Sequence, residues 1–116
     1  MNDRKRALIE AWKNHEERWR VLQSVPSLTF RSIPWPVVPD ITLPESLLPT
    51  LISEFILSPE HSHNMSRRKR IHTALVRWHT DHFDAKFLGK VVKDDHEAVA
   101  EGVGRVVRCL NNMLMN

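Results

Sequence analysis

The chain has 116 residues, of which 41% are hydrophobic and 27% charged, with a formal net charge of +3. That balance reads as one small, soluble, globular domain with a modest core, and its mild basicity permits nucleic acid or an acidic partner without demanding either. A single cysteine, Cys109, excludes an intrachain disulfide and a cysteine-based zinc site and favours a reducing compartment, nucleus or cytoplasm; no apolar run reaches the roughly 20 residues of a membrane span, and no apolar signal segment follows Met1–Arg6.

Residues 3–23 predict a first helix. Leu8, Trp12, His15, Trp19 and Leu22 are spaced 4, 3, 4 and 3, which makes one continuous stripe. Asn2 or Asp3 stands where a cap is wanted, and Glu16 with Arg20 has the spacing of a favourable i, i+4 ion pair. Two tryptophans on one stripe need a surface to cover. The favoured surface is the rest of the domain; the alternative is a partner.

Residues 24–44 form an extended connector. Pro26, Pro34, Pro36, Pro39 and Pro44 remove backbone donors and bias their predecessors away from helix. The segment is nevertheless apolar, and Phe30, Ile33 and Trp35 are expected to anchor it as a strap over the core. A free polyproline II ligand is the competing reading, and it would leave those side chains wet.

Residues 45–57 read as a second helix with Leu47, Leu48, Leu51, Ile52 and Phe55 inward. Thr42 and Glu45 have capping-box spacing, which would put Pro49 in the interior; a start at Leu48 would make Pro49 a favourable first residue. Both starts remain open. Ser58-Pro59 ends the helix, and residues 59–65 are a polar loop.

A basic helix follows, from Ser66 as N-cap to His79. Ile71, Ala74, Leu75 and Trp78 lie at i, i+3, i+4 and i+7, one helical face. Arg67, Arg68, Lys69, Arg70 and Arg77 spread around the axis rather than forming a stripe. Residues 81–93 read as a loop, with a short helical turn near Asp84–Leu88 closed by Gly89. The last helix opens on the acidic turn Asp94-Asp95-His96-Glu97 and carries the stripe Val99, Val103, Val106, Leu110 and Met113. Gly102 and Gly104 inside it cost about 1 kcal/mol each against alanine. Close approach of a neighbouring helix or a tryptophan ring, or a kink, would account for them. The expected fold is all-α: an antiparallel hairpin of 66–80 and 94–114, completed by the N-terminal helix and the strap.

Signals for chemistry are sparse. His61, His63, His72, His79, His82 and His96 supply ring nitrogens, but the His61-x-His63 pair sits in a loop with no thiolate or carboxylate at tight ligand spacing beside it, and no metal or other cofactor is expected. Cys109 sits late in a helix beside Leu110 and reads as an inert, partly buried thiol. Phosphate-cradling glycine loops and the Gly-x-Ser-x-Gly and His-Glu-x-x-His patterns are missing. The expectation is a protein that is not an enzyme.

The run Leu75-x-x-Trp78-His79-x-Asp81-x-Phe83, after a basic helix and before a long one, resembles the second half of a J domain. It is more similar to the degenerate J-like C-terminal region of the NF-kappa-B inhibitor-like proteins, where the turn reads Arg-Trp-His-Pro-Asp-Lys/Arg-Phe. Here it reads Arg77-Trp78-His79-Thr80-Asp81-His82-Phe83. Glu16-Glu17-Arg18-Trp19, then Leu28-Thr29-Phe30 and Ile33-Pro34-Trp35-Pro36, resemble the segment that precedes the J-like part in that family. The two patches cover most of the chain; the ankyrin repeats of animal members are missing.

The resemblance implies a J-like helical part over 45–116 and a non-enzymatic protein interaction module in nuclear signalling or pre-mRNA processing. It assigns partner binding to Arg67, Arg68, Lys69, Arg70, Arg77, His79, Thr80 and Asp81. A working J domain would stimulate a DnaK-type chaperone ATPase, its basic helix meeting an acidic surface and its His-Pro-Asp turn triggering hydrolysis. Thr80 replaces that proline and frees the backbone of the turn, so weakened or lost co-chaperone action is implied. For His79 and Asp81 the plain alternative is local capping at a helix end. A basic RNA-associated module is the third reading, although no aromatic residues interleave with the basic run to stack bases.

Overall fold

The computed structural model describes residues 2–115. Five α-helices form among them: α1 (Asp3–Val21), α2 (Pro49–Ile56), α3 (Arg67–Trp78), α4 (Thr80–Phe87) and α5 (His96–Met115). Short 3-10 turns punctuate the connections, and no strand forms among the described residues. The all-α expectation holds at this level.

The buried apolar side chains make one connected core, with α3 lying along α5. Ile71 and Trp78 of α3 and Val99, Val103, Val106 and Leu110 of α5 are at most 1% exposed, as the two stripes require. Arg67, at the start of α3, donates to the Met113 carbonyl near the end of α5 (3.0 Å).

The connector is an anchored strap. Leu28, Phe30, Ile33, Trp35 and Val37 are all buried. Leu28 forms an isolated parallel bridge with Val91: its N–H donates to Lys90 O and its carbonyl accepts from Val92 N–H, both at 2.8 Å. The Trp35 indole N–H reaches Phe30 O (2.9 Å), and its ring stacks on Trp78 with centroids 5.3 Å apart. Gly102 admits that ring: a Cβ there would lie 2.6 Å from Trp35 Cη2, so of the three accounts of the helix glycines the tryptophan applies at this one. Gly104 meets only the flexible end of Arg108.

Of the two starts left open for the second helix, the one at Leu48 is found, and three other local expectations are corrected. Pro44–Ser46 is a separate 3-10 turn and α2 starts at Pro49, whose fixed φ and missing N–H suit a first helical position. Residues 81–93 are not mainly loop: α4 starts at Thr80, so His79 ends one helix and begins the next. Phe83 and Phe87, four apart, bury one face of that helix, which begins at Thr80, four residues before the short turn expected at Asp84. Gly89 has no positive φ and lies inside a 3-10 turn, so no left-handed glycine closes this segment. Finally, α5 opens at His96, two residues late: Lys93–Asp95 forms a 3-10 turn, from which the Asp95 carboxylate accepts the Phe30 N–H of the strap (2.8 Å).

Helix α1 is held to the body by side chains. Asn2 caps it, accepting from Lys5 N–H. Its stripe packs inward as expected: Trp12 stacks flat on His61 (3.5 Å, 2°), His15 meets Phe55 edge-on, and Trp19 meets Trp78 at 5.0 Å and 87°. The expected Glu16–Arg20 pair does not form. Glu16 turns instead to Arg77 of α3, and Arg20 pairs with Glu17. Arg18 spans to the strap carbonyls of Arg31, Ser32 and Ile33.

Candidate functional site

The eight residues singled out for partner binding divide into two groups. Arg70 and Arg77 face the protein. Arg70 is half-buried and donates to the carbonyls of Ser58, His61, Ser62 and Met65 at 2.7–3.3 Å. It clamps a loop in which Ser62 holds a φ of +54°, a conformation most side chains avoid. Arg77 makes two bonds to the Glu16 carboxylate (2.8 and 3.3 Å) and lies 4.8 Å above the Trp19 ring. Both are structural residues, and a free basic patch does not include them. Arg67 is exposed but tethered to Met113 O.

The second group faces solvent. Arg68 and Lys69 are exposed, and among the described residues neither side chain has a hydrogen-bond or ion-pair partner. At 100° per residue Lys69 lies with His72, Thr73 and Val76 on the outer face of α3, opposite the Ile71–Ala74–Leu75–Trp78 stripe, while Arg68 falls on the flank beside Leu75. His79, Thr80 and Asp81 are also exposed, at the far end of that helix, about 18 Å from Arg67 by helical rise. Asp81 does not cap α3: the His79 N–H goes to Leu75 O, and Asp81 sits in the first turn of α4, where an acid complements the helix dipole.

Behind this face lies a polar-aromatic seam missed by the sequence reading. The His15 ring binds Glu16 through Nδ1 (2.8 Å) and accepts the Trp19 indole N–H at Nε2 (3.2 Å), so it is neutral and carries its proton on Nδ1. Burial holds its pKa below the usual histidine value, against the opposing pull of Glu16. Burial works the other way on Glu16, but the bonds from His15 and Arg77 outweigh it and bring its pKa down to about 2. His61 donates from Nε2 to Phe55 O (2.7 Å), and burial lowers its pKa too. The one signal in sequence was the place of His15 on an otherwise apolar stripe; the partner of Glu16, 61 residues away, left no trace.

The histidines considered as ligands are dispersed. His63 binds Pro59 O and His96 binds Val91 O, and among the described residues no three His, Cys, Asp or Glu side chains converge as a metal site. Cys109 is buried, its thiol contacting Pro49 O and Met113 Sδ, and burial raises its pKa. Every buried side-chain nitrogen and oxygen among the described residues has a partner. No helix among them is long and apolar enough to cross a membrane. Comparison with protein families, with curated proteins and with solved structures returns no match to this chain.

Proposed function

We propose that this chain is a non-enzymatic protein interaction module of J-like type, similar to the C-terminal region of NF-kappa-B inhibitor-like proteins and working in the nucleus or cytoplasm. The carrying observation is the outer face of α3. Lys69 stands there, with Arg68 on its flank; among the described residues neither has a partner, and the His79-Thr80-Asp81 turn is exposed at the end of the same helix. Exposed charges without intramolecular partners are available to steer and orient a partner of opposite sign. The Arg67 to Met113 bond favours reading α3 and α5 as the antiparallel hairpin that such a module needs.

Within this reading the turn is a weak trigger. Thr80 stands as the first residue of α4, a position that also suits proline, but it does not fix the backbone as proline would. The alternative is a working co-chaperone of a DnaK-type ATPase. A single-turnover ATPase assay separates the two. No stimulation by the wild-type chain, with partial gain on Thr80→Pro, is expected of the module. Stimulation of several-fold by the wild type, abolished by His79→Gln, would replace it with the co-chaperone. A basic RNA-associated role would instead appear as RNA affinity falling steeply with salt.

A further inference from the structure

A groove of about 600 Å³ runs between α1, α3 and α4, beside the outer face of α3. Its apolar lining is Trp19, Val76 and Phe87, Arg20 and Lys86 bring positive charge to it, and His82 adds a ring able to hydrogen-bond. Val76 is 63% exposed although it is a β-branched aliphatic residue on a helix whose other apolar residues all turn inward. It lies off the Ile71–Ala74–Leu75–Trp78 stripe, so the packing of α3 gives it no role.

The charge of the groove is one-sided. Glu16 is the one acid that lines it, and both of its oxygens are taken, by His15 and Arg77. Lys86 has no partner among the described side chains. Arg20 is held only by an exposed pair with Glu17, which does not line the groove; such a pair is weak, so the guanidinium can turn to another carboxylate. Beyond Thr73, Lys69 extends the positive field one helical turn further.

The aromatic lining does not suit a nucleobase. The Arg77 guanidinium covers a face of the Trp19 ring at 4.8 Å, and Trp78 and Phe87 meet that ring edge-on at 5.0 and 5.8 Å. A base needs a free face to stack on. What remains open is a small apolar floor at Val76 and Phe87, flanked by Arg20 and Lys86.

We propose that this groove binds an acidic segment of a protein partner, seating one aliphatic side chain on Val76 and Phe87 and carboxylates against Arg20, His82 and Lys86. The inference deepens the interaction-module reading and rests on it, but it uses neither the His79-Thr80-Asp81 turn nor any action on an ATPase. An apolar anchor supplies affinity at the centre and the charges around it supply steering and register.

The test uses the full chain and three fluorescein-labelled probes of equal charge: a Glu/Asp peptide with interspersed leucines, the same peptide without leucines, and a single-stranded RNA. Fluorescence anisotropy at low salt is expected to find the leucine peptide bound about tenfold more tightly than its leucine-free counterpart, the worth of one buried leucine. Binding weakens as salt is raised. Val76→Asp and Lys86→Glu each reduce the affinity by about fivefold or more, and both melt with the wild type because the positions are exposed. The proposal is overturned by no binding of the leucine peptide, by equal binding of the leucine-free one, by tighter binding of RNA, or by a Val76→Asp variant that binds normally. A negative result here with no ATPase stimulation leaves the module reading standing and removes the groove from it.

Discussion

The strap of residues 24–44 and helix α3 reverse the usual relation between regularity and burial. The strap has almost no repeating backbone structure, yet Leu28 is fully buried and Ile33 and Trp35 nearly so. α3 is a regular helix of 12 residues, and its outer face is wet from Lys69 to Val76. Prolines stop the strap from forming a helix, and its remaining donors are met individually, as Leu28 N–H by Lys90 O and Phe30 N–H by Asp95. α3 satisfies its own backbone and so can leave one face to a partner. Backbone pattern therefore says little about which segment is structural and which is available; the side-chain partners say it.

The sharpest test of that contrast is at Trp78, where strap, α1, α3 and α4 meet. Trp78→Ala should cost about 3–5 kcal/mol, measured by chemical denaturation, because it removes a fully buried ring contacted by Trp19, Trp35 and Phe83. An unchanged midpoint would break the account of the core.

The two glycines of α5 give a second test. Gly102→Ala must push the Trp35 ring and should destabilise by about 1–3 kcal/mol despite its better helix propensity. Gly104→Ala needs only Arg108 to move and should be neutral or stabilise by up to about 1 kcal/mol. Equal effects in thermal melts would mean that the strap does not press on α5.

Acid probes the seam between α1 and α3. Glu16 has a folded pKa of about 2, below its ordinary value of 4.5, so its contribution is complete above pH 4.5 and is lost as pH falls toward 2. For this half-exposed group we expect a loss of about 1–2 kcal/mol, and Glu16→Gln should flatten that part of the pH–stability curve. His15 acts in the same direction at higher pH. Its folded pKa is lowered, so stability is complete above about 6.5 and declines as pH falls below that value until the folded pKa is passed.

The smallest effect belongs to the wet face. Lys69→Ala should change stability by less than about 0.5 kcal/mol, since nothing in the fold uses its ammonium group. Arg70→Ala, one residue on, removes the donor to four loop carbonyls and should cost about 2 kcal/mol. Similar melting temperatures for the two variants would erase the division of the basic run.

Much of the fold was legible because it rests on local periodicity. The stripes of α1, α3 and α5 and the apolar content of the strap state which faces turn inward. The start of α4 was not legible, because Thr80-Asp81-His82 reads as loop until Phe83 and Phe87 are seen to share a buried face. Asp94–Glu97 was read as the opening turn of the last helix because the acceptor role of Asp95, toward Phe30, joins residues 65 apart. The candidate site was legible least. Five basic residues look alike in sequence, and only their acceptors distinguish the clamp at Arg70 and the pair at Arg77 from the unpartnered Arg68 and Lys69.

The strap's attachments also govern the order in which the chain is assembled. Leu28 to Val91, Gln23 to Lys90 and Phe30 to Asp95 each close a loop of more than 60 residues, so the entropy of closure is met before the contacts return anything. The α3–α4–α5 unit closes shorter loops, 46 residues at its Arg67–Met113 contact, so the strap is expected to dock after the rate-limiting barrier. Removing the Asp95 tether with Asp95→Ala is therefore expected to speed unfolding while leaving the refolding limb of the denaturant chevron nearly unchanged. On that expectation the strap is a latch on lifetime: it sets how long a folded molecule stays folded and hardly affects how quickly it arrives.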